Sequence, residues 1–355
     1  MMPRTEDWAI PKGSTVLVTG ANGFIGSHIA DQFLQYGFRV RGTVRDADKN
    51  KWLDDVFRER YGHGRFELRT VPNMADQGAF DMAAENASAI VHTASIMTLD
   101  HDPNNVIPGA VSFALNALKA AFAQQTVRRF VFCSSSTAAV LSVLGEPGTV
   151  VTEDTWNEAA VKTAWADPPY TPERSHAVYS ASKTLAEQAI FRYHQEHRHE
   201  RPDLTVNTVL PNMTLGRSLD PVRQGFTSTA AMVALLYQGQ VVDYHRGVPR
   251  QYFVDVQDVG RLHVAAAVFK KVQRQRIFGF AARYNWDEIL RILRNLEPGK
   301  TFPEDFSGGE DPNEIVARPK AEQLLRDLGR EGWTTLEESV ANMVQQLSES
   351  SSPRL

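Results

Sequence analysis

The sequence predicts a doubly wound α/β fold built on a parallel sheet, and three observations carry that expectation. Short β-branched or aromatic runs recur through the first two hundred residues, helix-period stretches separate them, and the first run ends in a glycine-rich turn that opens a helix. Thr15-Val16-Leu17-Val18-Thr19 is the first run, apolar on both faces as a buried parallel strand must be. A helix pattern follows over 25–36, with Ile25, Ile29, Phe33 and Leu34 on one face and Gly37 as its stop. Residues 38–44 form the second strand, and 66–71, 89–92, 129–132 and 204–210 continue the series. Helical stretches lie between them, notably 109–124 and 179–197.

Beyond Pro211 the texture changes. Residues 212–250 mix Gly, Ser and aromatic side chains, and helical patterns return at 258–271, 286–296 and 335–347. We divide the chain into a doubly wound domain over 10–210, a smaller, mostly helical region over 211–347, and a polar, disordered tail over 348–355. The smaller region is expected over the carboxyl ends of the strands, where such folds bind ligands. The Pro- and Glu-rich segment 144–177 reads as a long surface connection that this region can receive, the two parts exchanging segments.

Composition narrows the function. With 355 residues, 42% hydrophobic and 23% charged, the chain can bury a substantial core. A net charge of −4 offers no basic field for nucleic acid or anionic membrane. The start is too polar for a signal peptide, and no apolar run is read as reaching the roughly 20 residues of a bilayer span. Cys133 is the single cysteine, which excludes an internal disulfide and fits a reducing compartment, so the cytosol is the expected address.

Gly20-Ala21-Asn22-Gly23-Phe24-Ile25-Gly26 stands between the first strand and the first helix with the spacing G-x-x-G-x-x-G. Glycines here permit a tight turn, let backbone N–H groups approach a pyrophosphate, and allow close helix–strand packing, so the domain is read as Rossmann-type. The second strand ends Val44-Arg45-Asp46, with Lys49 close behind. Acid at this place suits the ribose hydroxyl of NAD, whereas Arg accommodates the 2′-phosphate of NADP. Asp46 falls one residue later and faces the other way on an extended chain, so the reading is NADP(H).

Tyr179-Ser180-Ala181-Ser182-Lys183 sets Tyr and Lys at i and i+4, one turn apart on one helix face. A neighbouring ammonium favours phenolate, which suits a tyrosine to proton exchange near neutral pH. Cys133-Ser134-Ser135-Ser136-Thr137 follows a strand directly, at the rim where ligands lie. A serine hydroxyl there can donate to a carbonyl oxygen that gains negative charge. Ser134 and Ser136 are read as helix caps.

In this order the motifs resemble the extended short-chain dehydrogenase/reductases. More narrowly, Val18-Thr19-Gly20-Ala21-Asn22-Gly23-Phe24, Val44-Arg45-Asp46, Val178-Tyr179-Ser180-Ala181-Ser182-Lys183 and Leu210-Pro211-Asn212 look like the fungal NADPH-dependent aldehyde/ketone reductases related to plant dihydroflavonol reductases. Lys300-Thr301-Phe302-Pro303 and Gly329-Arg330-Glu331-Gly332-Trp333 extend the resemblance toward the final helix. It implies Ser135, Tyr179 and Lys183 as the catalytic trio, with Ser136 the neighbouring alternative to Ser135. It further implies that Gly20, Asn22, Gly23, Phe24, Ile25 and Gly26 line the pyrophosphate and that Arg45 and Lys49 meet the 2′-phosphate. Asn73 and Met74 would lie by adenine, Thr93 and Ala94 by the adenosine-side ribose, and Pro211 and Asn212 by the nicotinamide. Asn73 departs from the Asp that relatives often carry, which weakens the adenine contact more than the function.

The implied reaction is reduction of a ketone or aldehyde to an alcohol by hydride transfer from NADPH, with Tyr179 giving the proton. Ile96, Met97, Met213, Phe226 and Tyr252 are read as substrate-facing, an apolar set suited to aromatic or aliphatic carbonyls, including polyketide-like ones of fungal secondary metabolism. The expected partner is thus a small-molecule carbonyl, with no nucleic acid, membrane or metal, and the protein a monomer or homodimer. His194, His197 and His199 are not aimed at one point by helix spacing and read as a solvated helix end, while His92 reads as a satisfied core residue. Cys133 has no dedicated His partner and is not read as a nucleophile. Two alternatives share the scaffold: a nucleotide-sugar epimerase or dehydratase, for which Arg217, Arg223 and Arg250 speak, and a non-catalytic NADP-sensing protein.

Overall fold

The computed structural model describes residues 7–141 and 147–351. The first half alternates strictly: β1 (Thr15–Thr19), α1 (Phe24–Gln35), β2 (Arg39–Val44), α2 (Lys51–Tyr61), β3 (Phe66–Thr70), α3 (Asp81–Ala84), β4 (Ala89–His92), α4 (Pro103–Ala123) and β5 (Arg129–Cys133). Next come β6 (Val150–Val151), α5 (Glu158–Ala164), α6 (Ser175–His197), β7 (Thr205–Pro211), β8 (Met213–Leu215), α7 (Ala230–Tyr237), α8 (Asp243–Gly247) and β9 (Arg250–Asp255). The chain ends with α9 (Val256–Val268), β10 (Arg276–Gly279), β11 (Ala282–Asn285), α10 (Trp286–Leu296), β12 (Glu314–Ile315), α11 (Arg318–Asp327) and α12 (Leu336–Ser351).

Seven strands form one parallel sheet in the order β3-β2-β1-β4-β5-β7-β10. The direction of winding reverses between β1 and β4, which opens a crevice at their carboxyl ends. Both faces of the sheet are covered. One carries α1, α2, α9 and α11 over a core that includes Val16, Val18, Phe33 and Leu262. The other carries α3, α4 and α6 over Leu17, Ile90, Phe130 and Ile190.

Local chemistry explains the element ends. The helix α1 stops in a Schellman motif: Gly37 takes φ +91°, its N–H donates to the Leu34 carbonyl, and the Phe38 N–H donates to the Phe33 carbonyl at 3.0 Å. The accompanying hydrophobic contact is Phe33 on Phe38, edge to face with ring centroids 5.7 Å apart, an arrangement worth about 1 kcal/mol beyond its buried area. This closure fixes the angle at which β2 enters the sheet.

The helix α4 begins six residues earlier than the pattern suggested. Asp102 accepts a bond from the Asn104 N–H and Pro103 starts the first turn, so the helix runs through Pro108 at the loss of one internal bond. With 21 residues and a mean hydropathy of 1.5, α4 is long and apolar enough to cross a membrane, which corrects the reading that no such run exists. Its apolar residues instead cover the sheet and α6.

Besides the helices α7 to α12, the region after Pro211 builds a second, three-stranded sheet from β8, β9 and β11. That sheet packs with α7, α10 and α12 around a separate core including Phe253, Trp286 and Val340. Neither does the boundary at 210/211 cut cleanly: β10 joins the main sheet, and α9 lies on α1. The segment 144–177, whose residues 144–146 lie outside the described ones, is more than a surface connection. Within it β6 pairs with β12 and α5 packs on α6. The expected tail of 348–355 is also corrected, since 348–351 continue α12 and 352–355 lie outside the described residues.

His28, His92 and His263 are folded into the interior. Burial pushes His28 and His263 down to about 4 and His92 down to about 3. A histidine whose folded pKa is depressed binds its proton more readily when unfolded, so its contribution to stability is complete above about 6.5 and is lost as pH falls toward the folded value. The unfolding free energy, followed by urea titration, is expected to fall between pH 6.5 and 4.5 with about 1 kcal/mol per pH unit from each ring. His263→Gln should make that slope shallower, and an unchanged slope would remove the ring from the account.

Candidate functional site

The crevice between β1 and β4 is floored by the glycine-rich turn. Gly20 takes φ +66°, and a Cβ there would stand 3.0 Å from the Ala94 Cα. A Cβ on Gly26 would stand 2.2 Å from the Gly20 carbonyl oxygen, so the first turn of α1 rests directly on the loop. No side chain caps α1 and no acid lies in its first turn. The N–H groups of Phe24, Ile25 and Gly26 therefore have no intrahelical acceptor and point, with the positive end of the helix dipole, at the crevice. This donor set fits a pyrophosphate. Asn22 donates from Nδ2 to Asn50 Oδ1 at 2.9 Å, which ties the loop to the start of α2.

Opposite the loop, Thr19 holds the end of β4. Its Oγ1 accepts from the Thr93 and Ala94 N–H groups at 3.0 and 3.2 Å. Its own hydrogen is then left for His92 Nδ1, 2.8 Å away, in keeping with the neutral ring. Thr93 returns a bond from its hydroxyl to the Thr19 carbonyl.

At the end of β2, Arg45 is exposed and forms no ion pair or hydrogen bond with any described residue. Asp46 is occupied within its own turn. Its carboxylate accepts from the Lys49 N–H at 3.1 Å and pairs with Lys49 Nζ at 3.5 Å, and the backbone bond above all holds its pKa below the ordinary value. A free guanidinium beside a committed carboxylate suits a 2′-phosphate better than a ribose hydroxyl. Asn73, expected near adenine, uses its side chain locally: Nδ2 donates to Asp76 at 2.6 Å and Oδ1 accepts from the Ala75 N–H. Asn116 on α4 holds the same turn through the Met74, Ala75 and Asp76 carbonyls. Pro211 ends β7 beside Gly279, and Asn212 turns its Oδ1 back onto the Met213 N–H at 2.7 Å.

The chemical end is built where α6 crosses the end of β5. Tyr179 and Lys183 lie one turn apart on α6, Tyr179 partly exposed and Lys183 buried. Lys183 Nζ donates to the Cys133 carbonyl at 3.4 Å and stands 5.6 Å from the centre of the Phe132 ring. Ser135 starts a short 3₁₀ turn, Ser136–Ala138, that packs against α6. Its Oγ accepts from the Thr137 N–H at 3.3 Å and from the Thr137 hydroxyl at 3.1 Å. The cap role read for Ser134 and Ser136 is thus corrected. Ser135 is the cap, and Ser134 donates to the buried Glu187 carboxylate at 2.7 Å. Burial pushes the Cys133 thiol up to about 11, so it is no nucleophile.

The substrate-facing set divides. Ile96, Met97 and Phe226 lie at the surface of the region, Ile96 and Phe226 half-buried and Met97 58% exposed. Met213 and Tyr252 are buried. Met213 is packed in the second core, and the Tyr252 hydroxyl donates to the Asn313 carbonyl at 3.0 Å. Tyr252 sits on the central strand β9 of the smaller sheet and Met213 on its edge strand β8, where the Met213 Sδ lies 3.8 Å from the Tyr244 hydroxyl.

Two residues were missed. Tyr244, on α8, interacts electrostatically with Tyr179, and its ring lies 6.3 Å from that of His176, which precedes Tyr179 by one turn. Gln224 donates from Nε2 to the Asn22 carbonyl at 3.1 Å, the Gly23 carbonyl at 3.3 Å and Ser27 Oγ at 2.9 Å. Only the aromatic texture of 212–250 hinted at Tyr244, and nothing local marks Gln224. His194 bonds to the Leu204 carbonyl and His197 to the Tyr193 carbonyl, and no metal-binding cluster occurs among the described residues.

Residues 16–278 match the NAD dependent epimerase/dehydratase family. Aldehyde reductase 2 of Sporidiobolus salmonicolor is 38% identical over 344 residues, covering 97% of this chain and 98% of the relative. Ketoreductase nvfG of Aspergillus novofumigatus is 37% identical, covering 94% of this chain and 97% of its own. Among solved structures, Gre2 of Candida albicans in complex with NADPH superposes with a TM-score of 0.80 at 24% identity, covering 96% of this chain and all of that one (100%).

Gly26→Ala forces the first turn of α1 off the loop. It is expected to weaken NADPH binding at least about tenfold, roughly the 1.4 kcal/mol of a single lost polar contact. Titration calorimetry measures this directly, and unchanged affinity would show that the turn does not seat the pyrophosphate.

Proposed function

The chain belongs to the NAD dependent epimerase/dehydratase family and is an NADP(H)-dependent oxidoreductase, and on that premise we propose that it reduces a ketone or aldehyde to an alcohol through Ser135, Tyr179 and Lys183. The observation that supports this reading is that α6, which bears Tyr179 and Lys183 one turn apart, packs on the 3₁₀ turn that Ser135 begins and bonds through Lys183 to the Cys133 carbonyl at the end of β5. Relatives named aldehyde reductase and ketoreductase support it.

The cofactor, when bound, supplies the hydride that turns the carbonyl carbon into a carbinol carbon. The chain's own residues handle the oxygen. Tyr179 passes its phenolic proton to the carbonyl oxygen as negative charge develops there. Ser135 Oγ accepts both bonds from Thr137, so its own hydrogen is left to orient the carbonyl and stabilise the forming alkoxide. Lys183 uses one ammonium hydrogen on the Cys133 carbonyl, which leaves the others for the nicotinamide ribose and the phenol side of the site. Phe24, Ile25 and Gly26 would hold the pyrophosphate through their N–H groups, and Arg45, with Lys49 nearby, would hold the 2′-phosphate. Thr93 and Ala94 would lie near the adenosine ribose, and Pro211 and Asn212 near the nicotinamide.

Ile96, Met97 and Phe226 form the apolar rim, with Tyr244 as a polar neighbour of the reacting phenol. This set suits an aromatic or aliphatic carbonyl, a polyketide-like secondary metabolite among them. It serves a nucleotide sugar poorly: Arg223 is paired with Asp220, and Arg250 lies against Gly309. The single buried thiol suits the reducing cytosol.

Tyr179→Phe removes the proton and keeps the ring. It is expected to lower kcat about a thousandfold while NADPH affinity stays within twofold, as for loss of a general acid. Retained turnover of a carbonyl panel, read from NADPH absorbance, rejects the assignment. Arg45→Ala is expected to weaken NADPH roughly tenfold to a hundredfold through loss of a charged hydrogen bond, with NADH almost unaffected. Equal losses for both dinucleotides overturn the choice of cofactor.

A further inference from the structure

Glu187 follows Lys183 by one turn, so Tyr179, Lys183 and Glu187 occupy successive turns of one face of α6. Its carboxylate is fully buried and every side of it is engaged. Oε1 accepts from the Thr208 hydroxyl at 2.6 Å and from Arg276 Nε at 2.9 Å. Oε2 accepts from the Ser134 hydroxyl at 2.7 Å and from Arg276 Nη2 at 3.4 Å. Arg276 is anchored in turn, donating to the Glu153 and Thr155 carbonyls and lying 3.7 Å over the Trp156 ring. A charge pair removed from water survives only with such complete pairing, and its geometry is correspondingly fixed.

The bonds from α6 to the end of β5 fall on adjacent residues. Lys183 grips the Cys133 carbonyl, and Glu187 grips the Ser134 side chain. The next residue is Ser135. We propose that Glu187 is a positioning residue that acts through Ser134: it locks the backbone from which Ser135 projects to the same helix that presents Tyr179 and Lys183. This rests on the assignment of those three residues to the reaction. The lock matters because the phenol and the serine hydroxyl must meet one carbonyl oxygen, and a displacement near 1 Å costs such a site about a hundredfold in rate. Thr208 supplies an internal control, since its hydroxyl bonds the same carboxylate from β7 rather than from the 133–137 segment.

The test compares Ser134→Ala with Thr208→Val. Each deletes one buried bond to Glu187 and leaves the Glu187–Arg276 pair in place, so both proteins keep the ion pair whose loss in Glu187→Gln endangers folding. Ser134→Ala is expected to lower kcat about tenfold with the KM for NADPH unchanged, and Ser134→Thr, which keeps the hydroxyl, to recover most of it. Thr208→Val is expected to stay within twofold of the parent in kcat, even with a lower Tm. Equal losses in both variants, no loss in either, or a change confined to KM overturns the proposal. Tyr179→Phe assayed alongside separates the two levels. If it stays active, the reaction assignment fails. If it is inactive while Ser134→Ala matches Thr208→Val, only the positioning role of Glu187 fails.

Discussion

The site depends first on how the sheet is held together where its winding reverses. At the carboxyl ends of β1 and β4 the two strands part, and main-chain groups that would continue the ladder lose their partners. Thr19 meets that demand with one hydroxyl, accepting from Thr93 and Ala94 and donating to His92. With the two ends fixed, Ala94 can approach Gly20 so closely that no side chain fits on the glycine. The loop then has one path, and α1 starts from it without a side-chain cap. The donors left open at α1 are thus a consequence of packing at the switch point. They suit anionic oxygen because no side chain among the described residues caps them.

The second constraint is electrical. Lys183 is buried against an aromatic ring and a carbonyl, and the nearest titratable neighbours in the strand ends are kept neutral. Burial, with help from the lysine itself, holds His92 down to about 3. Burial raises the Cys133 thiol, against the opposing pull of the same ammonium. The acid one turn along, Glu187, is matched by Arg276. The positive charge of Lys183 is therefore not cancelled by a bare carboxylate.

Much of this was legible in the sequence, for reasons that mark where such reading stops. The parallel strands are short apolar runs because both sheet faces are covered, and the glycine loop is legible because close approach admits no other residue. The pair Tyr179/Lys183 is legible because helix geometry converts a spacing of four into a shared face. The three serines were harder. Ser134, Ser135 and Ser136 are chemically identical, and what distinguishes them is Glu187 on one side and Thr137 on the other, of which the first lies 53 residues away. The burial of Met213 and Tyr252 was not legible, because apolar residues near a cleft and apolar residues under it look alike until the small sheet of β8, β9 and β11 is known. The helix α4 was shortened at Pro108, where the rule that proline ends helices was outweighed by a good cap.

Gln224 shows the same limit and what lies beyond it. It reaches the glycine loop across 202 residues, and a lone glutamine in a segment without periodicity carries no local signal. Its other amide atom, Oε1, accepts from Ser218 and from the Leu219 N–H, so the side chain is fixed at both ends. Ser218 is gripped in turn by Gln346 on α12. The loop that carries Phe226 is therefore bonded to the glycine-rich turn at one side and to the final helix at the other. An insertion or deletion between Ser218 and Phe226 cannot reshape the rim alone, because the same chain must still span from α12 to Asn22. Ile96 and Met97, beyond the bonded Thr93 and Ala94, lie outside that tie.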